Sequence, residues 1–403
     1  MTKEITKDPL SETINSNLKK YKKILEAKFN TQGFPNTSHE NWLYWAPDQL
    51  HSALLNPCKQ IYKLNDEIAD ICIVNGSIAS VSKKINLDIV ETTPSIELQK
   101  LNLEASTSSI SILNSIQCDK LILITVEGSY EDTITVSNIS TSNEKNVSTV
   151  CKVVIVAKEK SDSKFVVEHK SDLKEENVVN TSFHIVAKKE SSISINHTFK
   201  DHLAPSFFHS IIYLYENSKC SHLTFVTNST LVRHDTEAHF YEEGADLKCS
   251  GVGILKNNEQ FYNHLKINHY AKDCTASQFF KNILDDKSIA EFSGLVFVQE
   301  GAHGVDSTQS NKTLLLSDNA RVLSRPQLKI DADDVQCAHG STIGQLNPEE
   351  IFYITSRGLT TNQAKALLVY GFAEEIIINI KDKNLKAKLE AYIKSSLAEI
   401  NIK

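Results

Sequence analysis

LILITV, Leu121 to Val126, reads as a buried strand: six apolar or β-branched residues, no charge, and too short a run for a helix. Runs of the same kind follow it: TITV from Thr133, VVIVA from Val153, SISI from Ser192 and LTFV from Leu223. Ser, Thr, Asn and Gly separate them, and from about Ile68 to Ile343 no convincing helix interrupts. The pattern predicts one large β domain. Glycine and proline are sparse, 13 and 8 in 403 residues, so tight hairpins do not punctuate the series. Two packed sheets or a parallel β-helix of stacked coils would both fit. No strict repeat period decides between them. The charged stretch SDSKFVVEHKSDLKEENVVN, Ser161 to Asn180, reads as a surface loop or an edge strand pair.

Helical periodicity brackets this β region. Over the first 32 residues Leu10, Ile14, Leu18, Tyr21, Leu25 and Phe29 recur at spacings of 3 and 4 until Gly33 and Pro35. Trp42 and Trp45 then suggest an aromatic plug between helix and core. After Gly344, Asn347-Pro348-Glu349-Glu350 has the form of a helix start, with Gly358 as its stop. Thr360 or Thr361 can cap a second helix bearing Ala364, Leu367, Leu368 and Phe372. A third, from about Asp382, carries Leu385, Leu389, Ile393 and Leu397 at i, i+4, with Lys381, Lys383, Lys386 and Lys388 around its start. The expected domains are residues 1–67 (helical), 68–346 (β core) and 347–403 (helical).

A net charge of −7 disfavours a general nucleic-acid binder. No apolar run approaches the roughly 18 residues needed to span a bilayer. The N-terminal MTKEITKDPLSE lacks a signal peptide's apolar segment, so a cytoplasmic protein is expected. The eight cysteines form no C-x-x-C pair, and in a reducing compartment most would be buried thiols. There is no P-loop, no G-x-G-x-x-G and no G-x-S-x-G, so no conventional enzyme is visible.

The chemistry concentrates in SRPQLKIDADDVQCAHG, Ser324 to Gly340. On a strand Cys337 and His339, at i and i+2, project to one face. A thiolate and an imidazole can ligate iron or zinc. Asp331 and Asp333 would share a face if the strand continued and could draw in ferrous iron; turn-forming surface acids are the plainer reading. His264, His269 and Cys274 sit five residues apart, which on strands puts neighbours on opposite faces and argues against a metal site. Arg233, His234, Glu237 and His239 read the same way.

ILDDK from Ile283 belongs to a longer text. FKNILDDKSIAEFSG, NKTLLLSD, RPQLKIDADDVQCAHGSTIGQL, YITSRGL and LLVYGFAEEII together resemble the SufB/SufD family of iron–sulfur cluster assembly scaffolds. The resemblance covers about 140 residues well, from Arg233 to Phe372. It lies on the SufD-like side: Gly340 stands where SufB-like chains carry a glutamate after the histidine. Asn311, Lys312 and Thr313 also include no cysteine before LLLSD. His303, in EGAHGVDSTQS, departs from the family text and reads as loop drift rather than an iron contact.

The resemblance implies a mainly β fold, a right-handed parallel β-helix flanked by N- and C-terminal helical regions. It implies a non-catalytic scaffold with a SufB-like paralogue and a SufC-like ABC-type ATPase as partners, and a homodimer as a further option. A nascent iron–sulfur cluster would form transiently at the interface near Cys337 and His339, which act as its metal ligands. A reduced flavin could supply electrons. Tyr353, Ser356, Arg357 and Gly358, with the loop to Thr361, would dock the ATPase. No nucleic-acid or membrane partner is implied. Two other readings compete: a carbohydrate-active β-helix enzyme, which would need paired carboxylates or a calcium site, and a stand-alone metal sensor, which would need two more ligands close by.

Overall fold

The computed structural model of the chain describes residues 9–43, 45–60, 69–85, 87–94, 108–378, 380 and 383–399. Residues 1–8 of the expected first helix, Ile68, and the expected helix start at Lys381 and Asp382 lie outside these. So do the side chains of Leu10, Ile14 and Leu18.

The strands run β1 (Ile71–Val74), β2 (Ser77–Val81), β3 (Asp88–Thr92), β4 (Leu121–Val126), β5 (Ile134–Ser140), β6 (Ser148–Ala157), β7 (Asp162–Ser171), β8 (Val178–Ala187) and β9 (Ser192–Lys200). They continue as β10 (Ser206–Leu214), β11 (Lys219–Thr227), β12 (Leu231–Phe240), β13 (Asp246–Leu255), β14 (Gln260–His269), β15 (Thr275–Leu284), β16 (Ile289–Val298), β17 (Asp306–Leu315), β18 (Arg321–Ile330) and β19 (Gln336–Gly344). From β4 onward, odd strands build one sheet and even strands the other, and from β6 onward each new strand lies parallel to the one two before it. This is a parallel β-helix, in which every coil adds one strand to each sheet. The antiparallel pairs β1–β2 and β3–β4 close its N-terminal end.

One backbone feature repeats in every coil. Lys160, Glu190, Asn217, Gly244, Asp273, Gly304 and Asp334 all have positive φ, at steps of 30, 27, 27, 29, 31 and 30 residues. Each lies two residues before an odd strand and turns the chain from one sheet to the other. At Gly244 and Gly304 an added Cβ would lie 2.2 Å from the side-chain oxygen of Asn217 or Asp273 in the coil below, and that side chain would have to shift. The repeat is therefore real. It escapes sequence inspection because the coil length varies and five residue types fill the one special position.

Alternate residues of each strand face the lumen. Ile155, Ile185, Ile212, Ala238, Ile267, Val296 and Leu328 stack in register through seven even strands as one apolar column. Ser161–Asn180, expected as a surface loop or edge pair, is instead an interior part of the coil. It contains β7 and the start of β8, with Phe165 and Val167 in the core. Asp162, Lys164, Glu168 and Lys170 sit on the outward positions of this alternating strand, and Asp172, Lys174, Glu175 and Glu176 lie in the loop that leads to β8. A helix also interrupts the β region where none was expected. With α1 (Pro9–Gln32) and α2 (His51–Leu55) before it, α3 (Ser109–Gln117) carries Ile110 and Leu113 buried against Val178 and Phe207. The tryptophan plug forms as expected: Trp42 is buried, and Trp45 lies 6.0 Å from Phe207 and 5.6 Å from Tyr262.

At the other end, α4 (Pro348–Thr355) leads to α5 (Thr361–Ile377) and α6 (Lys383–Glu399). The last two cover the outer face of the odd sheet, sharing a core of Val166, Phe225, Val252 and Ile283 with Val369, Leu389 and Ile393. His264 and His269 do point to opposite faces. His269 stacks on Phe240 at 4.3 Å on the lumen side, and His264 faces Glu291 at 3.2 Å outside.

The middle of the lumen is polar. Asn138 meets His169 at 3.1 Å, His169 meets His197 at 3.0 Å, and Ser210 lies 3.0 Å from both His222 and His234. Burial holds these rings neutral and lowers the His222 pKa from 6.5 to about 3. The unfolded chain therefore binds more protons than the folded one below pH 6.5. Stability is complete above that value, falls as pH drops, and stops falling below about pH 3 for His222. Thermal melts from pH 7 to pH 4 are expected to show a steep loss of Tm, and His222→Gln should flatten that slope. An unchanged slope would mean His222 does not contribute to acid lability.

Candidate functional site

β19 is the last strand of the odd sheet and, among the described residues, pairs only with β17, so the β-helix is open at this end. Its residues are half-buried or exposed, in contrast to the interior strands. Cys337 and His339 lie on its lumen side, in register with Ser307 and Gln309 of the coil below, both buried. Cys337 packs against the central core, whereas His339 is exposed. Burial raises the Cys337 thiol above its ordinary pKa. A backbone hydrogen bond at Ser307 lowers it in part, and the charge of Asp306 raises it again. The resting group is a thiol, and ligating a metal would displace its proton.

The final coil is stitched across the lumen. Asn311 Nδ2 donates to Ser324 Oγ at 3.0 Å, and Ser341 Oγ donates to the same oxygen at 2.8 Å. These bonds join β17, β18 and β19 one register step above His339. On the outside, Arg325 donates to the Glu40 carbonyl at 3.0 Å and to Ser293 at 3.1 Å, pinning the tryptophan segment to the same coil.

The strand does not continue into the acidic stretch. β18 stops at Ile330, and Asp334 is the left-handed turn residue, at φ +53°. Asp331 and Asp333 therefore do not share a strand face; they are exposed turn acids. His303 is turned to the same loop, its Nδ1 2.9 Å from the Asp333 carbonyl oxygen. Among the described residues no three His, Cys, Asp or Glu side chains converge as a metal site, so Cys337 and His339 stand as a pair of donors.

The mixed-charge group at Arg233 separates in three dimensions. His234 faces the lumen, where it meets Ser210. The buried Arg233 guanidinium stacks on Trp42 at 3.4 Å, and its Nε lies 3.0 Å from Asp235. A cavity of about 520 Å³ opens beside them, lined by Asp235, Glu237, His264 and Lys266 on the outer face of the even sheet.

The C-terminal elements follow local rules. Asn347 accepts from the Glu349 N–H at 2.9 Å at the start of α4. Gly358 ends the turn after it at φ +100°, and Thr360 and Gln363 form a capping box on α5. α4 buries none of its residues. Phe352 is 74% exposed and Tyr353 58%, while Ser356 Oγ donates to the Tyr353 carbonyl at 2.7 Å and Arg357 lies 4.5 Å from the Tyr353 ring. With Leu359 and Leu367 they leave an unusual apolar surface. Phe352, Gln309 and the lumen histidines other than His234 and His269 were not singled out from sequence. For Gln309 and the histidines the signal was alternation: polar residues at inward positions of otherwise apolar strands.

Six of the eight cysteines are buried; only Cys58 and Cys337 are partly accessible. Native alkylation followed by peptide mass spectrometry is expected to label these two first. The Cys337 rate should lag a free thiol and keep climbing above pH 9. Rapid labelling of Cys337 at neutral pH would contradict the raised pKa.

Comparison with known proteins places these features among relatives. The family model described as "SUF system FeS cluster assembly, SufBD core domain" matches residues 139–372, more than half of the chain. The iron–sulfur cluster assembly protein SufD of Escherichia coli is 32% identical over 195 residues, covering 48% of this chain and 46% of that protein. A SufBD family protein of Synechocystis is 30% identical over 234 residues, covering 51% and 52%. SufD of Bacillus subtilis is 27% identical over 161 residues, covering 40% and 36%. The chain spans about half the length of the first of these curated relatives.

Proposed function

We propose, for a chain that belongs to the SufBD core family of the SUF iron–sulfur cluster assembly system, that it works as a SufD-type, non-catalytic scaffold subunit. The observation that carries this reading is an incomplete site on an incomplete coil. Cys337 and His339 offer two donors at the open end of the β-helix, where β19 has a free edge. A cluster of the usual kind takes about four protein ligands, mostly Cys. A SufB-like paralogue stacked on this end would extend both sheets and bring the missing donors. The nascent cluster is cargo: it binds where two chains meet and leaves when they part. A reduced flavin is one candidate source of the electrons this assembly needs.

The exposed face of α4, with Tyr353, Ser356, Arg357 and Gly358, is the proposed dock for a SufC-like ABC-type ATPase. Phe352 and Tyr353 supply the apolar anchors such an interface needs. Strain applied there would pass to the β-helix through α5. Lys281 of β15 is buried beneath α5, donates to the Phe372 carbonyl at 2.7 Å and contacts the Glu375 carboxylate. Cytoplasmic location accords with this reading.

Co-expression with a SufB-like chain and a SufC-like ATPase, followed by purification and iron and sulfide assay, tests it. His339→Ala is expected to leave the complex intact and cut its iron severalfold; full iron content would remove His339 from the site. Phe352→Asp should weaken ATPase binding by at least tenfold with the β-helix melt unchanged, and undiminished binding would place the dock elsewhere. Deleting everything after Asn347 is a poorer test, since it would strip α5 and α6 from the odd sheet and expose Phe225, Val252 and Ile283.

A further inference from the structure

Lumen-facing side chains at matching register on adjacent coils lie within hydrogen-bond reach of each other. Asn138 and His169 are register partners on β5 and β7, and their amide and imidazole meet at 3.1 Å. Gln278 and Gln309 are register partners on β15 and β17, and Gln309 Nε2 donates to Gln278 Oε1 at 3.2 Å. The next rung of that column is Gln309 and His339. It repeats the amide–imidazole pairing of the first.

Gln309 is 2% exposed, and one of its amide N–H groups donates to Gln278 below. The amide oxygen takes no part in that contact. Oε1 is buried and has no hydrogen-bond partner among the described residues. A buried acceptor left unpaired carries its desolvation cost uncompensated, so this atom favours any donor brought to it. One coil above, at the matching register position, His339 is exposed.

We infer that Gln309 is a positioning residue for His339: its amide oxygen accepts a hydrogen bond from one ring N–H and fixes the tautomer. The other ring nitrogen then keeps its lone pair for a metal ion. A second partner of this kind orients most metal-binding histidines, and losing it weakens metal affinity about 10–100-fold. The pairing itself depends only on the coil geometry; its use in holding iron rests on the scaffold reading above.

The test separates the two. The full chain carrying ¹⁵N-histidine is compared by long-range ¹H–¹⁵N NMR as wild type, Gln309→Met and Gln309→Glu, with the His339 signals assigned by loss in His339→Gln. One dominant tautomer is expected in the wild type. Gln309→Met, which keeps the length but removes the acceptor, should relax it to a mixture. Gln309→Glu should restore it. Identical tautomer populations in all three would overturn the inference, and thermal melts of each variant confirm that the fold is retained. In the complex with a SufB-like chain, Gln309→Met is then expected to hold iron about 10–100-fold more weakly, with recovery in Gln309→Glu. A shifted tautomer with unchanged iron retention would uphold the pairing and overturn its role in presenting His339 to iron.

Discussion

In-register parallel stacking governs this protein. Each strand hydrogen-bonds to the strands one coil above and below, so a side chain's nearest neighbours are its counterparts about 30 residues away in sequence. An apolar residue therefore needs an apolar counterpart, as in the column from Ile155 to Leu328. A polar one needs a hydrogen-bonding counterpart, as in Asn138 over His169 and Gln278 over Gln309. The same rule fixes the turns, because a coil that fails to reverse at its left-handed position cannot bring the next strand into register.

Stacking also makes the two ends unequal. The antiparallel pairs at β1–β2 and β3–β4 change the hydrogen-bonding direction and stop further parallel addition at the N-terminal end. At β19 the described ladder ends and leaves a row of backbone groups at its edge, with Cys337 and His339 on the lumen side of this last strand. An exposed strand edge is a place where another chain can pair. The faces away from the axis are already occupied, the even sheet by the tryptophan segment and α3, the odd sheet by α5 and α6. Glu375 bridges Lys281 and Lys312 of the odd sheet, and Lys388 of α6 meets Glu168. The helices are thus tied to the solenoid by charge pairs around an apolar centre, which makes them a mechanical extension of it.

Some of the site was legible because it is local. Cys337 and His339 share a face through strand alternation alone, and Asn347, Gly358 and Thr360 mark helix ends by their own backbone and side-chain chemistry. Other parts were not. The charges of Ser161–Asn180 suggested a surface loop, yet Phe165 and Val167 alternate with them and point into the core. SISILNSIQ in α3 alternates like a strand and becomes a helix because Ile110 and Leu113 find Val178 and Phe207 beneath them. The acids at Asp331 and Asp333 could be read as strand or turn, and the coil reversal at Asp334 made them turn.

Sequence by itself determined the β-rich class, the helices that flank it, the caps, the family text and the facing pair at Cys337 and His339. Each of these rests on interactions within about ten residues or on motifs read in order. The parallel sense of the sheets, the residues that line the lumen together, and the place of Cys337 and His339 at an open end above Ser307 and Gln309 came from the three-dimensional fold. Those facts depend on pairing between residues 26 to 32 positions apart, with a repeat length that drifts from coil to coil. No local propensity encodes such a register; it is set when each coil finds the one alignment that buries its apolar residues and pairs its polar ones.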